Sequence, residues 1–149
     1  EMRVEVFPLE KIIIDNKEIM LGMNINEVQK LIGISDRGFS NCDGESCRHY
    51  YFDSELGLDF DESGLLEFIE FLGGIDGNLR PYLYGVSAFE TSADELLKII
   101  MQQDDEVDDS EADYCYCFLN IGIGLWRQDN QNKHWDTIGI GVDKYYRFE

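Results

Sequence analysis

Two stretches of this sequence answer one another, about residues 18–72 and about residues 87–142. A chain built twice on one plan must fold so that its two halves share a core. Each stretch opens with a short helix. Asn24-Ile25-Asn26-Glu27-Val28-Gln29-Lys30-Leu31-Ile32 ends at Gly33, with Val28, Leu31 and Ile32 at helical spacing and Gly33 suited to the residue after the last turn. Asn24 or Asn26 is placed to cap its start. The second copy, Thr91-Ser92-Ala93-Asp94-Glu95-Leu96-Leu97-Lys98-Ile99-Ile100, carries a capping box in Ser92 and Glu95. Between the helices, Glu27 to Ile32 matches Glu95 to Ile100 in residue type at every position but Gln29.

Aromatic-rich strands follow each helix. His49-Tyr50-Tyr51-Phe52 answers Tyr114 to Phe118, Glu55 to Phe60 answers Asn120 to Leu125, and Leu65 to Phe71 answers His134 to Ile140. Turn-rich residues separate the last two strands in both copies, Asp61-Glu62-Ser63-Gly64 and Arg127 to Lys133. Val4 to Phe7 and Tyr82 to Val86 read as lead-in strands. The expected fold is α+β: one domain over residues 1–149, an antiparallel sheet made from two helix-strand-strand-strand repeats, with the helices on one face.

Alternation divides the faces of these strands. Ile121, Ile123, Leu125, Ile138 and Ile140 fall on one side, and Leu56, Leu58 and Phe60 do the same in the first copy. The other side carries Gly122, Gly124, Gly139 and Gly141 between Trp126 and Trp135, with Glu55, Gly57, Asp59 and Asp61 in the first copy. Glycine weakens a strand, so this paving calls for close approach by a backbone or ligand, or for local bending. Aromatic anchors beside acids also suit a protein-binding surface.

Charge narrows the partner. Thirty-one Asp and Glu against twelve Lys and Arg leave a formal net charge of -19. That sign excludes nucleic acid and an anionic membrane as partners and favours a basic protein, attracted over about 8 Å at physiological salt. Seven acids crowd residues 104–113: Asp104, Asp105, Glu106, Asp108, Asp109, Glu111 and Asp113. They predict a solvated loop, or a clamp for Lys and Arg.

Chemistry-bearing motifs are few. Asp59, Asp61, Ser63, Gly64 and Glu70 spell a calcium loop, but the flanks read as strands where that motif needs helices. Cys42, Cys47, Cys115 and Cys117 lack the spacing of a zinc knuckle; in a reducing cytosol they read as free thiols, with a Cys42–Cys47 bridge or a four-cysteine metal site as alternatives. His49 and His134 are the only histidines. No phosphate loop or nucleophile elbow occurs. A non-catalytic protein without a cofactor is therefore expected, with a small-ligand or calcium-binding domain and a cysteine enzyme built on Cys115 or Cys117 as the alternatives. Glu1-Met2-Arg3-Val4 is not a secretory leader and no stretch is long enough to span a bilayer, so a cytoplasmic location is expected.

The segment Leu21 to Gly33, with a glycine before the capping residue, then Glu27-Val28 and Leu31-Ile32-Gly33, resembles the helix motif of β-lactamase-inhibitor-protein-like domains. That resemblance implies a tandem repeat binding a target protein on a concave sheet face. In size, charge and lack of catalytic motifs the chain also looks like the small acidic immunity proteins of bacterial toxin systems. This implies an inhibitor that occludes a cationic partner such as a nuclease toxin or another basic enzyme. The expected contacts are Glu55, Asp59, Asp61, Asp104, Asp105, Glu106, Asp108, Asp109, Glu111, Trp126 and Trp135.

Overall fold

The computed structural model describes residues 1–38 and 42–147. Its strands are β1 (Met2–Phe7), β2 (Lys11–Ile14), β3 (Lys17–Met20), β4 (Cys47–Tyr51), β5 (Leu56–Phe60), β6 (Leu66–Phe71), β7 (Leu79–Leu83), β8 (Val86–Ser87), β9 (Val107–Asp108), β10 (Cys115–Phe118), β11 (Ile123–Trp126) and β12 (Thr137–Gly141). The helices are α1 (Ile25–Ile32) and α2 (Ala93–Met101).

The expectation of one antiparallel sheet with helices along a face is overturned. The chain forms two sheets, one of five strands in the order β3-β2-β1-β7-β8 and one of seven in the order β4-β5-β6-β12-β11-β10-β9. The pairing of β1 with β7 is parallel. The helices are short, eight and nine residues. The reason lies in residues 2–20, where Val4, Val6, Ile12, Ile14 and Ile19 alternate with exposed or half-buried residues and build a second sheet with its own apolar face. Asp15 and Asn16, at φ 50° and 63°, make the tight turn between β2 and β3, the left-handed geometry that a two-residue hairpin needs. One continuous buried cluster joins Val4 and Ile14 of this sheet, Leu58 and Ile140 of the other, and Val28 and Leu96 of the helices. Strands as well as helices thus cover the large sheet.

Both helices start as their sequences dictate. The Asn24 side chain accepts from the Asn26 N–H at 2.8 Å, and the Ser92 hydroxyl accepts from the Glu95 N–H at 3.3 Å. Each first turn then docks on the same place in its own half. The Ile25 N–H donates to the Gly64 carbonyl at 2.9 Å, and the Ala93 N–H to the Lys133 carbonyl at 2.7 Å.

The seven-stranded sheet is doubled about the β6–β12 pair. Glu70 faces Gly139, with Phe71 opposite Ile138 on one side and Ile69 opposite Ile140 on the other. Exchanging the halves about Glu70/Gly139 turns each of these pairs into another. Carried outward through the registers, this places Leu56 in the position of Ile123 and Tyr51 in the position of Phe118. The sequence matching of Leu56 with Ile121 is therefore two residues out. A shift of two preserves the face of every side chain, so Leu56, Leu58, Ile123 and Leu125 are buried as expected.

Candidate functional site

On the face of the seven-stranded sheet away from the core, each strand glycine lies under a side chain. Arg48 crosses Gly57, where a Cβ would come within 3.1 Å of its guanidinium. Tyr146 rests on Gly124, the Phe68 ring on Gly139 and Tyr145 on Gly141. Phe68 and Tyr145 stack at 4.6 Å, and Tyr146 meets each of them edge-on. The close approach expected of these glycines is thus made by the protein's own side chains, at Gly124 and Gly141 by the C-terminal turn and at Gly57 and Gly139 by neighbouring strands. Burial pushes the Tyr145 phenol up to about 12, helped by Asp59 and Glu67, and raises Tyr146 further. Both phenols stay neutral at physiological pH.

The first-copy acids are held within the fold. Arg48 donates to both carboxylate oxygens of Asp59, at 2.6 and 2.9 Å, and to Glu70 at 2.7 Å. The hydrogen bond that Arg48 donates to Asp59 is the main cause raising the Arg48 pKa, with Glu70 adding to it against the effect of burial. Asp61 accepts from the N–H groups of Ser63 and Leu65 and shapes the β5–β6 turn. The segment spelling a calcium loop is therefore a hairpin whose Asp59 and Glu70 already share a guanidinium. Glu55 reaches the other sheet, accepting from the Asn78 N–H at 2.8 Å and the Leu79 N–H at 3.0 Å where β7 begins.

The acidic segment divides. Asp104 is buried and accepts from the N–H groups of Glu106, Asn120 and Ile121 and from the Asn120 side chain. Burial opposes its charge, but those hydrogen bonds prevail and lower its pKa. Asp105, Glu106, Asp108, Asp109, Glu111 and Asp113 are exposed. Glu106 pairs with Arg147, and Asp113 accepts from the Tyr116 hydroxyl at 2.6 Å. Residues 107 and 108 form the edge strand β9, so part of the expected loop is sheet.

The two tryptophans part company. Trp126 is 45% exposed, opposite Cys115, and next to Cys115 in the chain stands Tyr114, 44% exposed. Tyr114 had no signal in the sequence beyond its aromatic ring. Trp135, expected as an exposed contact, is 1% exposed. Its indole N–H donates to the Ala93 carbonyl at 3.0 Å, its ring meets Tyr116 edge-on, and the Arg127 guanidinium lies 4.7 Å above it. Strict alternation put Trp135 on the outer face, but the register of the first copy shifts by one residue at the matching place, where Phe60 faces Leu66 and Asp59 faces Phe68. That bulge turns Leu66 inward, and Trp135 occupies the equivalent position.

Cys42 and Cys47 are joined in a disulfide. With His49 they are the one group of three metal-ligand side chains within 4.8 Å of one another among the described residues, but the bond occupies both sulfurs. Cys115 and Cys117 are free, half-buried and share the outer side of β10, with their sulfurs 3.9 Å apart. Their mutual contact, the first cause in both, favours ionisation of Cys115 and raises Cys117; burial and the carboxylates of Asp108 and Glu111 oppose a second charge. No hydrogen bond links His134 to either thiol. A cleft of about 560 Å³ between the start of α2 and residues 130–133 is lined by charges of both signs, including Asp94, Asp113, Arg127 and Lys133.

Comparison with family models, curated proteins and solved structures finds no match. No helix among the described residues is long and apolar enough to cross a membrane.

Proposed function

We propose that this protein works by binding a basic protein, a toxin or another cationic enzyme, and blocking it without catalysis of its own. The observation that carries this reading is a run of exposed acids, Asp105, Asp108, Asp109 and Glu111, beside exposed aromatic rings: Asp108 stands opposite Cys117 of β10, Trp126 stands opposite Cys115 of the same strand, and Tyr114 precedes Cys115 in the chain. Aromatic anchors supply affinity at protein interfaces, and acids around them supply rapid association and register with a cationic partner. Glu55, Asp59, Asp61 and Asp104 serve the fold through their hydrogen bonds, and Trp135 serves the core, so the proposed contact surface is smaller than the acid content alone implies.

A cytoplasmic site of action belongs to the same proposal. The free thiols of Cys115 and Cys117 suit it, whereas the Cys42–Cys47 disulfide is the feature that suits an oxidising compartment.

The test is binding of the product of the neighbouring open reading frame, measured by calorimetry at low and high salt. A one-to-one complex weakened by salt, and weakened at least about tenfold by Asp105→Lys with Asp109→Lys, supports the reading. An affinity indifferent to both salt and charge reversal overturns it.

A further inference from the structure

Two thiols that face each other beside carboxylates next to a sheet's edge strand need an explanation that protein binding does not supply. We propose that Cys115 and Cys117, with Asp108 and Glu111, form a site for a thiophilic divalent cation such as zinc or cadmium.

The sulfur spacing comes first. Two zinc–sulfur bonds of about 2.3 Å at a tetrahedral angle place the sulfurs about 3.8 Å apart. Cys115 and Cys117 hold theirs at 3.9 Å without a bond between them. The strand achieves this because residues two apart point to the same side, and the register puts Asp108 of the edge strand directly opposite Cys117. Asp108, Ser110, Glu111 and both cysteines line one small cavity of about 180 Å³, room for an ion and its waters. No third ligand atom of the Cys, His, Asp or Glu type lies within 4.8 Å of both sulfurs among the described residues. The Asp108 and Glu111 side chains are exposed, and Asp108 Oδ1 accepts from the Ser110 N–H at 3.0 Å; in the proposed site Asp108 Oδ2 and the Glu111 carboxylate turn toward the sulfurs to complete the shell.

The electrostatics choose between a metal ligand pair and a nucleophile. A reactive thiolate is made by positive surroundings. Here the charged side chains that line the cavity with the two thiols are Asp108 and Glu111, both negative. A divalent cation offsets that charge and displaces the thiol protons on binding. The four ligands would tie the acidic segment to β10, a consequence separate from any protein partner.

The test uses the whole protein with its disulfide intact, titrated with cadmium and followed by thiolate-to-cadmium charge-transfer absorption, with zinc as competitor. One equivalent saturates the band, zinc abolishes it, Cys115→Ser and Cys117→Ser each remove it, and Cys42→Ser with Cys47→Ser leaves it. Asp108→Asn lowers the cadmium affinity at least about tenfold. Absence of the band in the native protein, or its persistence in Cys117→Ser, overturns the site. Should a serine variant fail to fold, Asp108→Asn and Glu111→Gln decide the matter: affinity unchanged in both rejects the four-ligand site, and a tenfold loss in both upholds it.

Discussion

Phe68 and Tyr145 lie face to face on the outer side of the seven-stranded sheet, 4.6 Å between centroids and 8° between planes. The contact joins β6 to the C-terminal turn, and it exists because Gly139 and Gly141 leave the sheet bare beneath the two rings. The glycines and the tail are one device: remove the space or the ring and the other loses its purpose.

Gly124→Ala tests this directly. A methyl group there meets the Tyr146 hydroxyl, so the variant loses about 1–3 kcal/mol of stability by overpacking. In a Tyr146→Phe background the nearest clashing atom is gone, and the same substitution costs less. Denaturant unfolding of the four proteins of this cycle measures the coupling; strict additivity refutes the contact.

Arg48→Met leaves Asp59 and Glu70 facing each other across the outer side of β5 and β6 without their shared cation. Stability falls, and it is partly restored by adding Asp59→Asn and Glu70→Gln, because the residual carboxylates cause much of the loss. Thermal melting at neutral pH reads the order: Arg48→Met lowest, the triple variant above it.

Asp104 and Glu67 bend the pH dependence of stability in opposite senses. The folded pKa of Asp104 is lowered, so its contribution is present above the unfolded value of about 3.9 and disappears as pH falls through the folded one. Asp104→Asn is therefore less stable than the native protein at pH 7 and approaches it in acid. The folded pKa of Glu67 is raised, by burial first and then by Asp61 and Asp59, so it favours the fold below its folded pKa and loses that advantage as pH rises through it. Glu67→Gln accordingly gains stability relative to the native protein on going from acid to neutral pH. Unfolding curves at several pH values check both signs.

The tryptophans separate by solvent access. Acrylamide quenches the fluorescence of Trp126, at 45% exposure, and leaves that of Trp135, at 1%. Trp126→Phe removes the quenchable component with a stability change within about 0.5 kcal/mol, whereas Trp135→Ala costs about 3–5 kcal/mol. Equal quenching in the two single-tryptophan variants contradicts the placement.

Much of the local structure is legible in the sequence because its causes are local. Asn24, Ser92 and Gly33 bound their helices through groups within a few residues. The inward positions of Leu56, Leu58, Ile138 and Ile140 follow from alternation, and even a two-residue slip in matching the halves kept them inward. What the sequence hides is nonlocal. Met2 pairs with Leu79 across most of the first half of the chain, and no neighbouring residue announces a parallel partner. Glu55 looks like a surface acid until the start of β7 arrives beside it. Trp135 was misplaced because strict alternation does not show the place where its counterpart Leu66 turns inward beside a shift of register in the first copy. Gly124 and Gly141 advertised a visitor to their face, but the visitor was already in the chain, and only the return of residues 145 and 146 across the sheet identifies it.

The parallel β1–β7 pair and the antiparallel β6–β12 pair have a consequence for how such a chain arises. Each half brings one strand to each seam, and at either seam an isolated half exposes a raw edge. In the seven-stranded sheet a half-length chain could cover its β6 edge with a second copy of itself, since the registers about Glu70 and Gly139 exchange the halves without altering that pairing, while β3 and β9 stand outside the exchange. That seam has the grammar of a homodimer written as one chain, with Arg48 in one copy and Cys115 in the other at the same place in the weave.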